Sequence, residues 1–352
     1  MEVALQDDIT FGAGSAFGLP RAFDLAAKLE TSRLRVNVLW SRVASSATKK
    51  KKPKHVIYNF AGYDAIFNAA SARGVKLQMT LTGPAPAWAT GNHKYGIFKP
   101  NAKLFGEFVK ATAKHYKGKV DRYSIWNEPN LVAWIAPLKS NASIYRSLYV
   151  AGYNAIKSSD PAAQVLIGET SPFSLPKGRA SAPIAFLRKV AKGGHLFADG
   201  YAHHPYDFRH AINYNYPGKD NATLKTLGHL TSALDKLAAS HSLTTPAGKP
   251  LDVYLTEWGY MGPGTKYAVG ESKRTQYLPQ GFQMALDNPR VREMLQYLLV
   301  SPGKKYRFFD MSLVSHSGKQ SAPFKALSKW ATDAAAAGKI AKPGGAPAYR
   351  AP

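Results

Sequence analysis

Hydrophobic and polar positions switch between two periods along the whole chain. Val3 to Gln6 reads as a short strand, and a Gly-rich turn at 12–18 leads into a helix ending near Leu29. From Arg33 to Trp40, Leu34, Val36 and Val38 alternate with Arg35, Asn37 and Leu39, the two-residue period of a strand. Tyr63, Ile66, Phe67 and Ala70 then recur at helical spacing and stop at Gly74. Val75 to Thr82 predicts the next strand, closed by Gly83-Pro84. Leu104, Phe108, Ala111 and His115 mark a helix face. The apolar run from Tyr123 into Trp126-Asn127-Glu128 predicts the fourth strand, which Pro129 ends because it has no N–H to give a ladder.

The second half repeats the pattern. Ile144, Leu148, Ala151 and Ala155 form a helical stripe broken by Asp160-Pro161, and Ala163 to Gly168 is a strand running into Glu169. A helix over Ala182 to Lys192 precedes a strand over Gly200 to Tyr206. Leu224, Leu227, Leu230, Leu234 and Leu237 give a further helix before the strand Leu251 to Gly259, which carries Glu257. Gln276 to Leu286 is helical, Met294 to Val300 the eighth strand and Phe324 to Ala336 the last helix. Eight strands alternating with helices predict a single (β/α)8 TIM barrel over residues 1–337. The Gly-, Pro- and Ala-rich residues 338–352 read as a loosely held tail. An open doubly wound sheet is the alternative, but no Gly-rich phosphate loop follows the first strand to support it.

Composition narrows the function classes. The 352 residues contain no cysteine, which excludes disulfides, thiolate metal sites and cysteine nucleophiles. No apolar run approaches the roughly 18 residues of a membrane span. The N-terminus enters strand-like sequence without a signal peptide, so the expectation is an extracellular or cell-surface protein with its leader trimmed, or a cytoplasmic one. Lys and Arg number 47 against 22 Asp and Glu, a net +25. Such a field favours an anionic partner such as an acidic polysaccharide, or else merely aids solubility. The densest run, Lys49-Lys-Lys-Lys-Pro-Lys54, reads as a mobile loop. No nucleic-acid-binding motif accompanies it, so no nucleic acid partner is expected, and the chain reads as a monomer.

Two carboxylates, Glu128 and Glu257, end the fourth and seventh strands, each beside a tryptophan. In a (β/α)8 barrel both then face the catalytic end. Glycoside hydrolysis needs such a pair, one as proton donor and the other as nucleophile or base.

Trp126-Asn127-Glu128-Pro129-Asn130 and Thr256-Glu257-Trp258 together resemble the glycoside hydrolases of clan A. With His204-Pro205-Tyr206 they look most like family 39 and its distant relatives, with family 5 next. The resemblance implies that Glu128 is the general acid/base, Glu257 the nucleophile and Asn127 a partner of the sugar's 2-hydroxyl. It implies that Arg35 keeps the nucleophile ionised, since a nearby cation lowers a carboxylate's pKa. His204 and Tyr206, two apart, would share a face and reach the mouth, leaving His203 a structural histidine. Strand eight of the clan often ends in a tryptophan at the innermost subsite; Tyr297 stands there in this chain.

Five of the six tryptophans fall at or after strand exits: Trp40, Trp88, Trp126, Trp134 and Trp258. Trp88 and Trp258 are the expected sugar contacts. Glu169 is a third carboxylate near the mouth, expected to bind substrate hydroxyls or pair with a lysine, and Asp7 and Asp8 raise the same question. Adjacent histidines make a poor metal site and no His-Glu-x-x-His run exists, so neither metal nor cofactor is expected. Asn141-Ala-Ser143 and Asn221-Ala-Thr223 read as glycosylation sequons. The whole reads as a retaining glycosidase acting on a poly- or oligosaccharide by double displacement. A transglycosylase and a non-catalytic polysaccharide-binding barrel remain the alternatives.

Overall fold

The computed structural model describes residues 1–12, 15–303 and 309–344. Its centre is a closed barrel of eight parallel strands taken in chain order. They are β1 (Glu2–Gln6), β2 (Arg33–Leu39), β3 (Lys76–Thr82), β4 (Arg122–Ile125), β5 (Gln164–Thr170), β6 (Gly200–His203), β7 (Val253–Trp258) and β8 (Val291–Tyr297). The last returns to the first, with Glu2–Gln6 in register with Glu293–Tyr297. This is the single (β/α)8 barrel that the alternating periods predict.

Among the described residues, besides a single turn at Trp40–Val43, eight longer helices cover the barrel: α1 (Leu19–Ala27), α2 (Ala61–Ser71), α3 (Ala102–His115), α4 (Asn141–Ser159), α5 (Pro183–Ala191), α6 (Leu227–Ala239), α7 (Glu271–Asp287) and α8 (Ala322–Ala336). Local chemistry sets their starts. The Asn101 side chain accepts from Leu104 N–H ahead of α3, and Ser321 does the same for Phe324 ahead of α8. Proline fills an early position in α1, α5 and α8, where its missing N–H costs nothing.

The main apolar core lies between sheet and helices, not inside the barrel. Strand alternation sends Val36, Val38, Met79 and Leu81 outward, where they meet Trp40, Phe105 and Phe108. The lumen is instead mostly polar. At its floor Glu2 pairs with Arg33 at 2.9 Å, and Arg122 Nη1 reaches Glu2 and Glu293 at 2.6 Å each. Burial pushes Glu293 up to about 7 despite Arg122. Glu2 is as deeply buried, but Arg122 and Arg33 together hold it well below the usual carboxylate range. A small apolar plug of Leu166, Ala202 and Tyr254 sits above this tier. The Tyr254 ring fits because residue 200 is glycine; a Cβ there would meet its Cε2 at 2.3 Å.

Several boundaries differ from the sequence pattern: β4 ends at Ile125, three residues before Glu128, and α7 begins at Glu271, not Gln276. The eighth strand begins at Val291, earlier than its apolar residues suggest, because Glu293 faces the charged lumen and so hides the strand's period. The sixth ends at His203, two residues before Pro205. Residues 338–344 are not loose. Ala341 N–H donates to Met1 O at 2.9 Å, Gly344 N–H donates to Gly74 O at 2.7 Å, and Ile340 is 4% exposed. One apolar anchor within a Gly- and Pro-rich stretch binds the segment to the barrel's N-terminal end; residues 345–352 lie outside the described residues. Asn141 of the first sequon is buried and donates to Pro129 O, which leaves its amide no room for a glycan.

Candidate active site

The carboxyl ends of the strands open onto a cleft of about 1030 Å³. Glu128 and Glu257 both line it, with Asn127, Trp134, Tyr297 and Phe309. Each glutamate is aimed by a different local device. Glu257 lies where the β7–β8 ladder slips register between Met294 and Gln296, so that it follows Thr256 onto the inner face and leaves Trp258 to pack outward against α7. Glu128 follows β4, where Trp126 and Glu128 take positive φ values of 65° and 37°. Left-handed backbone at two non-glycine residues is costly, and it swings the Glu128 side chain back over the barrel. The turn is held by Glu128 N–H donating to Glu169 O at 2.8 Å.

A set of buried groups stands behind the two glutamates. Arg35 on β2 donates from Nη1 to Glu257 Oε1 at 2.7 Å and from Nη2 to Asn127 Oδ1 at 2.7 Å. Tyr206 OH donates to Glu257 Oε2 at 3.1 Å. His204 Nδ1 lies 3.2 Å from Glu128 Oε1 and 3.6 Å from Glu257 Oε2, so one nitrogen spans both carboxylates. Glu169 is fully buried on β5. Its Oε2 accepts from His204 Nε2 at 2.8 Å, Arg35 Nη2 at 3.0 Å and Thr256 Oγ1 at 2.6 Å. Its Oε1 takes the Ser124 hydroxyl.

Burial and charge compete at each of these groups. Burial opposes protonation of His204, but Glu257, Glu128 and Glu169 outweigh it and raise the imidazole to about 9. Both ring nitrogens are then donors at neutral pH. Burial likewise opposes ionisation of Glu169, yet Arg35 and His204 hold it at about 2. Glu257 goes the other way. Withdrawal from water pushes it up, and the pull of His204 and Arg35 does not fully offset that. Arg35 thus pulls Glu257 toward ionisation as expected of it, but burial, not the arginine, sets the direction of the net shift.

Other expected roles change. Arg35, His204 and Tyr206 are at most 1% exposed and touch carboxylates, leaving them no surface for substrate. Glu169 meets neither a sugar position nor a lysine; its partners are Arg35 and His204. Trp88, at 5% exposure, packs edge-on against Trp40 and does not line the cleft. Trp258 is buried against Phe282 and Gly281 of α7. The tryptophan that lines the cleft is Trp134, whose backbone O accepts from the Trp126 indole at 3.0 Å. Tyr297 lines the cleft from the end of β8. Asp8 reaches it and binds the Asn37 amide, whereas Asp7 turns inward to accept from the backbone N–H groups of Leu299 and Val300. His203 hydrogen-bonds Thr170 and Ala222 O, and its burial lowers it to about 3, so it is a neutral structural residue.

The sequence pattern assigns no role to Thr80, Ser124 or Thr256, though all three are inward positions of their strands. Their signal is register: Thr80 pairs with Ser124 across β3 and β4, one step above Arg35 opposite Gln78. Among the described residues, no group of His, Asp and Glu forms a metal cage.

No protein-family model matches this sequence, and no curated protein matches it. Solved structures do match in shape. The chain is similar to a family 39 glycoside hydrolase from the gut symbiont Bacteroides cellulosilyticus WH2, with a TM-score of 0.70 and 16% identity over 94% of this chain and 63% of that one. It is similar to a monomeric beta-xylosidase from Caulobacter crescentus CB15, with a TM-score of 0.63 and 16% identity over 93% and 67% of the two chains. A hyperthermophilic beta-glucosidase from Pyrococcus furiosus gives a TM-score of 0.60 at 15% identity over 90% and 83%. The fold is theirs. The chain spans less than two thirds of the first of them.

Proposed function

We propose that the protein is a retaining glycoside hydrolase, with Glu257 as nucleophile and Glu128 as general acid/base. The observation that carries this reading is the shared contact of both carboxylates with His204 Nδ1, at 3.2 and 3.6 Å. Their nearest oxygens can stand no further apart than those two contacts laid end to end. That limit falls at the lower edge of the roughly 6.5–9.5 Å typical of inverting pairs, which must leave room for a water. In the first step a Glu257 oxygen attacks the anomeric carbon while the bond to the leaving oxygen breaks and takes the Glu128 proton. In the second, Glu128 removes a proton from water, whose oxygen displaces Glu257 and frees the sugar.

Several features support the assignment of roles. Glu257 has Arg35 and Tyr206 fixed on its two oxygens, which points one carboxylate edge at the cleft. Glu128 is the more exposed of the two, as a group that must meet both leaving group and water should be. The structures it resembles include a beta-xylosidase and a beta-glucosidase, and only the cleavage of an O-glycosidic bond is carried over here. An oligo- or polysaccharide suits a cleft of about 1030 Å³. An acidic one is favoured by residues 40–63, which hold Arg42, five lysines and no carboxylate, and whose Arg42, Asn59 and Tyr63 wall the cleft. Such a substrate also suits an extracellular or cell-surface setting.

The test is a panel of aryl glycosides followed by a fluorosugar of the preferred type and mass spectrometry of the digest. The expected label is an ester on the peptide containing Glu257. Turnover with inversion of the anomeric centre removes the double-displacement mechanism. Binding of glycans without any turnover leaves a lectin-like barrel instead.

A further inference from the structure

Neither chemical step uses Glu169, yet it is the most heavily bonded carboxylate in the upper barrel. One of its oxygens lies between two cations, 3.0 Å from Arg35 Nη2 and 2.8 Å from His204 Nε2. Those cations each reach forward to a different glutamate, Arg35 to Glu257 and His204 to Glu128. Its backbone carbonyl holds the Glu128 turn as well. Glu169 itself has φ 49°, after Gly168 at φ 115°, where the β5–β6 ladder slips register. A strained bulge at a fully buried acid marks a position fixed by need of the side chain rather than by ease of the backbone.

Building on the proposed glycosidase reading, we propose that Glu169 is the positioning residue of the centre, a buried carboxylate that braces Arg35 against Glu257 and His204 against Glu128. The physical need is charge. Two cations converging on one buried oxygen repel each other once the negative charge between them is gone, and in a site this dry the repulsion is weakly screened. Every group facing His204 bears on its proton: Glu128, Glu169 and Glu257 retain it, while Arg35 opposes it through the shared oxygen. His203 points away to Thr170 and Ala222, and the Tyr206 ring lies edge-on at 6.3 Å. Without Glu169, the imidazole gives up a proton and one of its two anchoring N–H groups. Glu128 and Glu257 then lose a common reference.

Glu169→Gln removes the charge at nearly constant shape. Its kcat on an aryl glycoside should fall on the order of 100-fold, the size of a loss from misplaced reacting groups, with KM little changed. Nitrogen NMR of histidine-labelled protein gives a readout that needs no turnover. Near pH 7.5 the wild-type His204 ring should show two N–H groups and the variant one. Glu169→Asp keeps the charge and should keep the doubly protonated ring, with a smaller fall in kcat. It also carries the test if Glu169→Gln does not fold. A rise in KM at unchanged kcat in either variant makes Glu169 a substrate contact and overturns the proposal, as does a Glu169→Gln ring that keeps both N–H groups. If the ring changes as expected but wild-type protein cleaves no glycoside, the brace stands and the proposed reaction is what fails.

Discussion

Arg35 Nη1 meets Glu257 Oε1 at 2.7 Å, and the arginine is wholly shut off from solvent. The contact opposes the burial that pushes Glu257 upward. Removing the guanidinium therefore lets Glu257 rise further. Arg35→Gln should move the acid limb of kcat/KM to higher pH, so that activity on the acid side of the original limb drops by up to about tenfold for each unit moved. Activity well above the limb should suffer less. An acid limb that stays in place shows that Arg35 does not govern Glu257.

Glu128→Ala and Glu257→Ala should fail in different ways. A polysaccharide leaving group needs a proton, whereas a nitrophenolate departs without one. Glu128→Ala should nearly abolish polysaccharide hydrolysis, spare the first step on a nitrophenyl glycoside and accumulate the glycosyl-enzyme. Azide, needing no base, should restore turnover. Glu257→Ala should lose both substrates with nothing left to trap. Exchanged phenotypes reverse the two roles.

Charge beside the cleft gives a third expectation. Lys49, Lys50, Lys51 and Lys54 are exposed, while Lys52 is tied to Glu107 of α3 at 2.6 Å. On an acidic polysaccharide KM should climb between low and physiological salt, because screening shortens the reach of exposed charges to about 8 Å. Replacing the four exposed lysines by glutamine should flatten that climb and leave a neutral glycan unaffected. Equal salt response on both glycans returns these lysines to a role in solubility.

Gly281 sits inside α7 under the Trp258 ring, where a Cβ would meet Cη2 at 2.1 Å. In an open helix Gly→Ala stabilises by about 1 kcal/mol. Here the clash should reverse the sign, so Gly281→Ala should lower stability by about 1–3 kcal/mol, as overpacked cores do. Urea unfolding measures it, and a raised midpoint means Trp258 can move aside.

The barrel was legible because each strand's outer face is apolar and each helix shows its own stripe; Arg33 to Trp40 alone displays the strand period. Glu128 and Glu257 were legible because a proline and a glycine follow closely after them at the strand exits. The site's interior was harder to read. Glu293 hides the start of the eighth strand because apolar patterning assumes an oily lumen, and this lumen is ionic. Trp88 and Trp258 are not sugar contacts because sequence proximity to a strand exit does not say which face a side chain takes, and at Trp258 a register slip in β7 decides it. Glu169 could be located from sequence but not interpreted, since its partners lie on β2 and just beyond β6, far away along the chain.

The charged lumen also shapes how this barrel can diverge. A hydrocarbon core drifts one residue at a time, each swap costing little if volume is kept. Between Glu2, Arg33, Arg122 and Glu293 no single step is mild, because each leaves a buried charge without its counterpart. Change there has to pass through coordinated pairs, and such pairs are non-additive. Related barrels should therefore differ at these positions in blocks, with whole charge sets exchanged for apolar ones. Their helix-facing residues, by contrast, should wander freely.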